Sequence, residues 1–302
     1  MDLEYKDYDC PVCDSKNNSK IYNSNLDKNE LPIIGYDYKN LNQKKTFAYV
    51  QCSNCKHVFA SPRVVDIYKY YIDKEDEHYV NNSDFRRITY SKVLEIIKKI
   101  KNNGDILELG SGMGDFIYSA TKQGYNCTGI EIDKFASNIS KNFGHNIYQC
   151  DLKDFIKINE NKKYDIIVMM GVIEHLEYPS KDLELLNKLL KNGGFIVLWT
   201  GDYESIYSRL LKKKWWYVIG QHIQLFSRRS LKYLFNKHSY ELVYNQNFPY
   251  IFHYKYLDFH LKRFFVYRNF LRMFILPFLK FLKVIKLSIS SEILMVFKKK
   301  EL

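Results

Sequence analysis

The 302-residue chain predicts an α/β fold, one largely parallel sheet clad in helices, behind a small module of four cysteines. Three observations predict it. From Ile106 onward, short apolar runs alternate with stretches whose apolar residues recur at helical spacing. A glycine turn, Gly110-Ser111-Gly112-Met113-Gly114, stands between a predicted strand and a predicted helix, the junction of a Rossmann-like unit. Two Cys-x-x-Cys pairs lie near the N-terminus. A chain of this length holds one domain of about 150 to 200 residues and an accessory module.

Residues 1–62 hold the cysteine pairs around a polar middle, with Phe47 to Gln51 alternating and an apolar Val58-Phe59 after the second pair, so they read as a ribbon of short strands. Residues 63–84 are Tyr-rich and charged and read as a linker, and 85–302 as the main domain. Ile88, Val93, Ile96, Ile97 and Ile100 make Phe85 to Lys101 a helix. Strands follow at Ile106 to Leu109, Asn126 to Ile130, Ile147 to Cys150, Tyr164 to Met170 and Phe195 to Thr200. Between them helices are expected at Asp115 to Gln123, Lys134 to Phe143 and Asp182 to Leu190, the last stopped by Asn192-Gly193-Gly194. A helix over Arg229 to Lys237 and strands at Glu241 to Asn245 and Ile293 to Lys298 bring the strands to seven. Residues 252–288, aromatic and basic, form a long insertion before the last strand, expected to be helical.

The formal charge of +12 is unevenly placed. Residues 1–201 are close to balanced at −1, whereas 202–302 carry +13, so an anionic partner would meet the last third: a nucleotide, a phosphate-bearing lipid or RNA, unless these lysines are simply solvated. The acidic N-terminus, MDLEYKDYDC, lacks an export signal's charge pattern, and no apolar stretch reaches the ~18 residues of a membrane span. The expectation is a cytoplasmic protein, in which paired Cys-x-x-Cys motifs point to metal before disulfide. Cys10, Cys13, Cys52 and Cys55 supply four thiolates suited to a closed structural zinc site. Asp14 and Lys56 stand where such knuckles usually carry glycine, and Cys127 and Cys150 read as core residues.

The glycine turn is flanked by Glu108 and Asp115. Acids there would repel a pyrophosphate but suit a ligand bearing a sulfonium and an amino group, which favours S-adenosylmethionine over a nicotinamide dinucleotide. The second strand ends in Gly129-Ile130-Glu131-Ile132-Asp133, where the Glu131 carboxylate can take ribose hydroxyls, and Asp151-Leu152 after the third can read an adenine edge. Glu108, Gly110, Ser111, Gly112, Gly114, Glu131, Ile132, Asp151 and Leu152 are therefore the expected cofactor residues.

On these motifs residues 104–200 resemble the class I methyltransferase core: Glu-Leu-Gly-Ser-Gly-Met-Gly first, Gly-Ile-Glu-Ile-Asp second, and Tyr-Asp-Ile-Ile-Val-Met-Met-Gly-Val-Ile-Glu-His-Leu at the fourth strand. The turn Leu-Leu-Lys-Asn-Gly-Gly is similar to that family's Leu-Lys-Pro-Gly-Gly, with Asn192 in place of proline. The resemblance implies a seven-stranded methyltransferase sheet. With Cys52 to Cys55 running on to Pro62-Arg63, and Gln221 to Ser227 leading into Leu231, the chain looks like zinc-ribbon methyltransferases of bacterial surface-polysaccharide and deoxysugar pathways. That implies methylation of a sugar or related small metabolite.

Methyl transfer to a hydroxyl or an enolisable carbon requires removal of a proton, and histidine suits that at neutral pH. His175, after the fourth strand, and His222 are the candidate bases; the alternative is that each only shapes its loop. Trp215, Trp216 and Tyr217 offer a wall for a ring, and Lys212 to Lys214 a contact for a diphosphate. Two rival functions stay open: an RNA methyltransferase gripping phosphates with its basic third, and a non-catalytic cofactor-binding scaffold. Residues 252–288 either pack as an amphipathic helical pair or lie on the inner membrane face, where a lipid-linked sugar would be presented.

Overall fold

The computed structural model describes residues 3–35, 41–71, 77–159, 161–253, 284–287 and 291–301. The N-terminal ribbon holds β1 (Tyr5–Lys6), β2 (Asn18–Tyr22), β3 (Tyr49–Cys52), β4 (Val58–Ala60) and β5 (Arg63–Val64). The expected linker 63–84 is folded where it is described. β5 pairs with β1, a short 3-10 turn covers Ile67–Tyr70, and α1 (Glu77–Asn81) and the start of α2 (Ser83–Ile100) follow. Burial explains the order here: Arg63, Val64 and Ile67 are all fully enclosed.

The main domain runs β6 (Asp105–Leu109), α3 (Asp115–Lys122), β7 (Asn126–Ile130), α4 (Lys134–Asn142), β8 (Ile147–Tyr148), α5 (Leu152–Ile158), β9 (Tyr164–Met170), α6 (Pro179–Leu189) and β10 (Leu190–Gly201). It continues through α7 (Ile206–Leu211), β11 (Gln224–Leu225), α8 (Arg228–Lys237), β12 (Tyr240–Asn247), β13 (Tyr250–His253), β14 (Val284–Leu287) and β15 (Glu292–Lys299). Seven strands form one mixed sheet in the order β12-β15-β10-β9-β6-β7-β8. The strands β6 to β10 pair in parallel, and β15 lies antiparallel to both β10 and β12.

Period-two alternation sorts the strand residues between two cores. Leu107, Ile167 and Leu198 pack with Phe155 of α5, Leu183 and Leu186 of α6, and Leu231 and Phe235 of α8. Ile106, Ile166, Val168 and Val197 pack on the other face with Val93, Leu94 and Ile97 of α2 and Phe116 of α3. Ser227 and Ser230 cap α8 reciprocally, and Asp133 caps α4 by accepting from the Ala136 amide at 2.7 Å.

Two expectations change. Asn192-Gly193-Gly194 does not stand apart as a turn: α6 ends at Leu189 and the chain enters β10 at once, with a register shift between Leu190 and Phe195 that Gly193, at φ 68°, accommodates. The helical insertion 252–288 is extended at both ends, because β13 and β14 pair antiparallel; residues 254–283 and 288–290 lie outside the described residues.

Candidate functional site

The order of the sheet reverses at β6, whose neighbours β7 and β9 lead away in opposite directions. Open α/β sheets bind ligands at such a switch point, beyond the carboxyl ends of the strands. A cavity of about 590 Å³ opens there. It is lined by Glu108, Gly110 and Ser111 after β6, Glu131 and Ile132 after β7, Asp151 and Leu152 after β8, and His175 after β9. Eight of the expected site residues are thus brought together. Gly112, Gly114 and His222 do not line it.

Four amides of the glycine turn are taken up within the protein. Gly110 N and Ser111 N donate to Ile130 O at 2.8 and 3.0 Å, Gly114 N to Ser111 O at 2.9 Å, and Gly112 N to Glu131 Oε2 at 2.6 Å. A pyrophosphate site must aim such amides at its ligand, so this turn offers little to a dinucleotide. Gly114 instead caps α3 at φ 79°, where an added Cβ would come within 2.2 Å of Ser140 Oγ.

The electrostatic reasoning from sequence needs correction at both flanking acids. Full burial holds the Glu108 carboxyl well above the usual carboxylate range, with Asp115 and Glu131 nearby adding to the effect. Asp115, also buried, meets Arg86 Nη2 at 2.6 Å and Arg87 Nε at 2.9 Å, which compensate its charge. The acids left to read a ligand are Glu131 and Asp151. Glu131 lies at the end of β7, and burial pushes its pKa up to about 7. Asp151 caps α5 by accepting from Asp154 N at 2.8 Å while also lining the cavity. Glu108 Oε2 and Ser111 Oγ are buried without a partner, as expected where a polar ligand completes the bonding. A buried acid with an unpartnered oxygen, an orphan hydroxyl and the Glu131 and Asp151 carboxyls fit a ligand with ribose hydroxyls and a cationic end.

His175 lines the cavity and its Nδ1 lies 3.1 Å from Gln221 O. A carbonyl can only accept, so Nδ1 carries the proton and Nε2 the lone pair. Burial lowers its pKa to about 4, which keeps the ring neutral. His222 is fixed in the same tautomer by Tyr217 O at 2.7 Å, behind His175 at a ring distance of 4.8 Å. Its burial and the adjacent His175 depress its pKa further. Trp215 and Tyr217 are buried and stack on each other, packing the ribbon rather than walling the cavity. Lys212 to Lys214 also lie away from it, with Lys213 Nζ donating to Asn23 O at 2.6 Å.

Sequence reasoning missed the outer wall. Ile34 and Gly35 come from the ribbon, and Asp66 to Lys69 and Tyr71 from the segment read as a linker. Glu177, Tyr178, Asp182 and Gln221 complete it. Only Gln221, in the Gln-His-Ile-Gln-Leu-Phe motif, carried a signal in sequence.

The four cysteines converge: their sulfurs lie within 4.8 Å of one another, with Cys10–Cys55 and Cys13–Cys52 each at 3.5 Å. None is in a disulfide. Zinc–sulfur bonds of ≈ 2.3 Å place tetrahedral ligands at comparable separations. The two knuckles match. Asp14 N donates to Cys10 O at 2.8 Å and Lys56 N to Cys52 O at 3.1 Å, and Asp14 and Lys56 adopt the left-handed backbone, φ 61° and 63°, despite not being glycine.

A family profile described as a methyltransferase domain matches residues 80–245, more than half of the chain. The chain belongs to this methyltransferase family. The methyltransferase is 34% identical over 125 residues to the ubiquinone biosynthesis O-methyltransferase of Rickettsia bellii, a match covering 38% of this chain and 51% of that protein. It is 27% identical over 143 residues to the uncharacterized protein MJ1123 of Methanocaldococcus jannaschii, covering 47% of this chain and 66% of the other. The matches thus span about half to two thirds of these relatives. Among solved structures, a SAM-dependent methyltransferase from Archaeoglobus fulgidus superposes with a TM-score of 0.52 at 17% identity, covering 74% of this chain and all of that one. The plantazolicin methyltransferase BpumL in complex with SAH gives 0.51 at 17% identity, covering 74% and 88%. At that identity these structures establish the shared fold.

Proposed function

We propose that the protein transfers a methyl group from S-adenosylmethionine to a sugar or related small metabolite, with His175 taking the proton from the acceptor. The observation that carries this reading is the cavity itself, which runs from the glycine turn and Glu131 to His175, a neutral histidine whose Nδ1–H is tied to Gln221 O. Bound at the switch point, the cofactor supplies the methyl group as a sulfonium. Glu131 and Asp151 would hold its ribose and adenine, and the turn leaves few amides for a pyrophosphate. When an acceptor hydroxyl is methylated, its proton moves to His175 Nε2, and the Nδ1–H bond to Gln221 O steadies the imidazolium.

Tyr68, Tyr71 and Tyr178 offer aromatic faces to a ring, and Glu177 and Asp182 accept from hydroxyls. Acids on that wall oppose an RNA backbone. The Rickettsia bellii relative, an O-methyltransferase, supports oxygen as the acceptor atom. The sequence resemblance supports surface-glycan or deoxysugar biosynthesis in the cytoplasm as the setting, and the four cysteines support a structural zinc. No described helix is long and apolar enough to cross a membrane.

Labelled S-adenosylmethionine incubated with the purified protein and either a nucleotide-sugar panel or total RNA tests the reading. Label should enter a sugar; transfer into RNA alone would overturn it.

A further inference from the structure

The turn that carries His175 is held from outside by four successive carbonyls, Glu174 to Glu177. Glu174 O accepts from Gln224 N at 3.0 Å, His175 O from the Tyr68 hydroxyl, Leu176 O from Gln224 Nε2 at 2.9 Å, and Glu177 O from Arg63 Nη2 at 3.1 Å. All of these donors belong to the ribbon or are joined to its sheet. Arg63 is in β5 and Tyr68 in the segment that follows, while Gln224 lies in β11, which pairs with β4 as the outer strand of the ribbon sheet, Gln224 opposite Phe59.

Gln224 is the junction. It is completely buried, and its Oε1 accepts from Nε2 of His57, also completely buried, at 2.9 Å. His57 O in turn accepts from Cys52 N at 2.9 Å inside the second knuckle. A path of hydrogen bonds therefore leads from a cysteine of the four-sulfur cluster, across His57 and Gln224, to the carbonyls on either side of His175: the Gln224 side chain reaches Leu176 O and its backbone N–H reaches Glu174 O. The ribbon also reaches the ring's own anchor, since Gly35 N donates to the side chain of Gln221, whose carbonyl holds His175 Nδ1. The cofactor side is independent of this network: Glu131 bonds to Gly112 and Asp133, and Asp151 to Asp154, all within the main domain.

We propose that Gln224 is a positioning residue through which the ribbon holds His175 toward the acceptor half of the cavity, so that the ribbon governs the acceptor step and leaves cofactor binding alone. This rests on His175 as the proton acceptor. A buried amide bonded at both ends fixes a distance as well as satisfying polar atoms, and deleting it leaves Leu176 O and the His57 N–H unpaired in the interior. With Glu174 O held by the backbone of Gln224 alone, the turn gains freedom to swing, and the imidazole, which faces His222 and Glu174, gains contact with water.

The test uses the full chain labelled with nitrogen-15 in its histidines, with the His175 signals assigned by their absence from His175→Gln. Wild type should show a single Nδ1–H tautomer that resists protonation until about pH 4. Gln224→Met keeps the volume and loses both amide bonds. It should show mixed His175 tautomers and a titration at least one pH unit higher, while its affinity for SAH, measured by calorimetry, changes less than twofold. His57→Phe keeps the ring packing against Phe59 and Phe226 and cuts the path one step nearer the cysteines. It should reproduce the effect in smaller degree, and it decides the question if Gln224→Met does not fold. A folded variant with wild-type His175 signals, or one in which SAH affinity falls as far as the histidine signals move, overturns the proposal. Failure of the proton-acceptor assignment would look different: His175→Gln would transfer methyl at the wild-type rate, whatever Gln224→Met and His57→Phe do to the His175 signals.

Discussion

Glu131 serves two purposes with one carboxylate. Its Oε2 fastens the Gly112 amide at 2.6 Å and its Oε1 the Asp133 amide at 2.8 Å, so it shapes the turn while lining the cavity. Burial raises its pKa to about 7, and the sign of that shift matters. Between the ordinary carboxylate range and pH 7 the folded chain keeps a proton that the unfolded chain has released, so this group costs stability as pH rises. Ribose hydroxyls donate to the ionised form, so ligand binding gains over the same range. The affinity for SAH should rise about tenfold between pH 6 and pH 8, as a pKa near 7 displaced by binding requires. Glu131→Gln should flatten that dependence and weaken binding by about 1 to 3 kcal/mol at pH 8. Calorimetry across pH checks both, and a flat wild-type profile would remove Glu131 as the ribose acceptor. Glu131 was legible because its distance from the glycine turn follows from one strand-helix-strand passage. The upward shift of the Glu108 carboxyl was not, because it depends on burial that the sequence does not display.

The glycine turn shows that residues of one motif divide their labour. Gly110 and Gly114 both have positive φ, 69° and 79°, but an added Cβ at Gly110 would meet Val172 Cγ2 at 2.6 Å, and Val172 lines the cavity. At Gly114 the same atom would meet Ser140 Oγ at 2.2 Å and His145 Nδ1 at 2.4 Å, away from the ligand. Gly114→Ala should therefore lower stability by about 2 to 4 kcal/mol through backbone strain and displacement of α4, with SAH affinity within a few-fold of wild type. Gly110→Ala should lose both. Urea denaturation and calorimetry on the two variants separate these outcomes, and equal losses of affinity would refute the division. Elements of the main domain were legible where periodicity had room to show: β9 is apolar from Ile166 to Met170 because both faces are covered, and α2 repeats its buried positions every three or four residues. The two residues of β11 and six of α7 are too short for any period. Trp215 read as a ligand wall because sequence shows that a side chain is aromatic, not what covers it.

At the scale of the molecule, the ribbon and the main domain share a core. Cys10, Val12, Cys52, Cys55 and Phe59 belong to the same buried cluster as Phe226, Leu231, Leu234 and Phe235. The expected boundary at residue 62 rested on a change in composition; β5, just past it, pairs back with β1, and the return of residues 221–225 to complete the ribbon sheet pairs positions more than 160 apart in sequence. Gly220 shows how tight the fit is, since an added Cβ would meet Pro32 at 2.3 Å and the Lys45 carbonyl oxygen at 2.6 Å. Metal bound by the four sulfurs should therefore stabilise more than its own knuckles. Metal-dependent ligand sets hold their binding free energy as folding free energy, and here part of the cavity wall, Ile34, Gly35 and Gln221, rests on them. We expect elemental analysis to find one zinc per chain in protein purified without chelator, and none in Cys52→Ser. In the variant the ribbon should melt separately and earlier, by about 10 °C or more if the loss is of the order of 3 kcal/mol in a domain this size. Far-UV circular dichroism should retain the signal of the seven-stranded sheet, and SAH should still bind, because β6, β7 and β8 build its cradle without the ribbon. A metal-free wild type with the same thermal profile as the variant would show that these thiols pack as ordinary core residues.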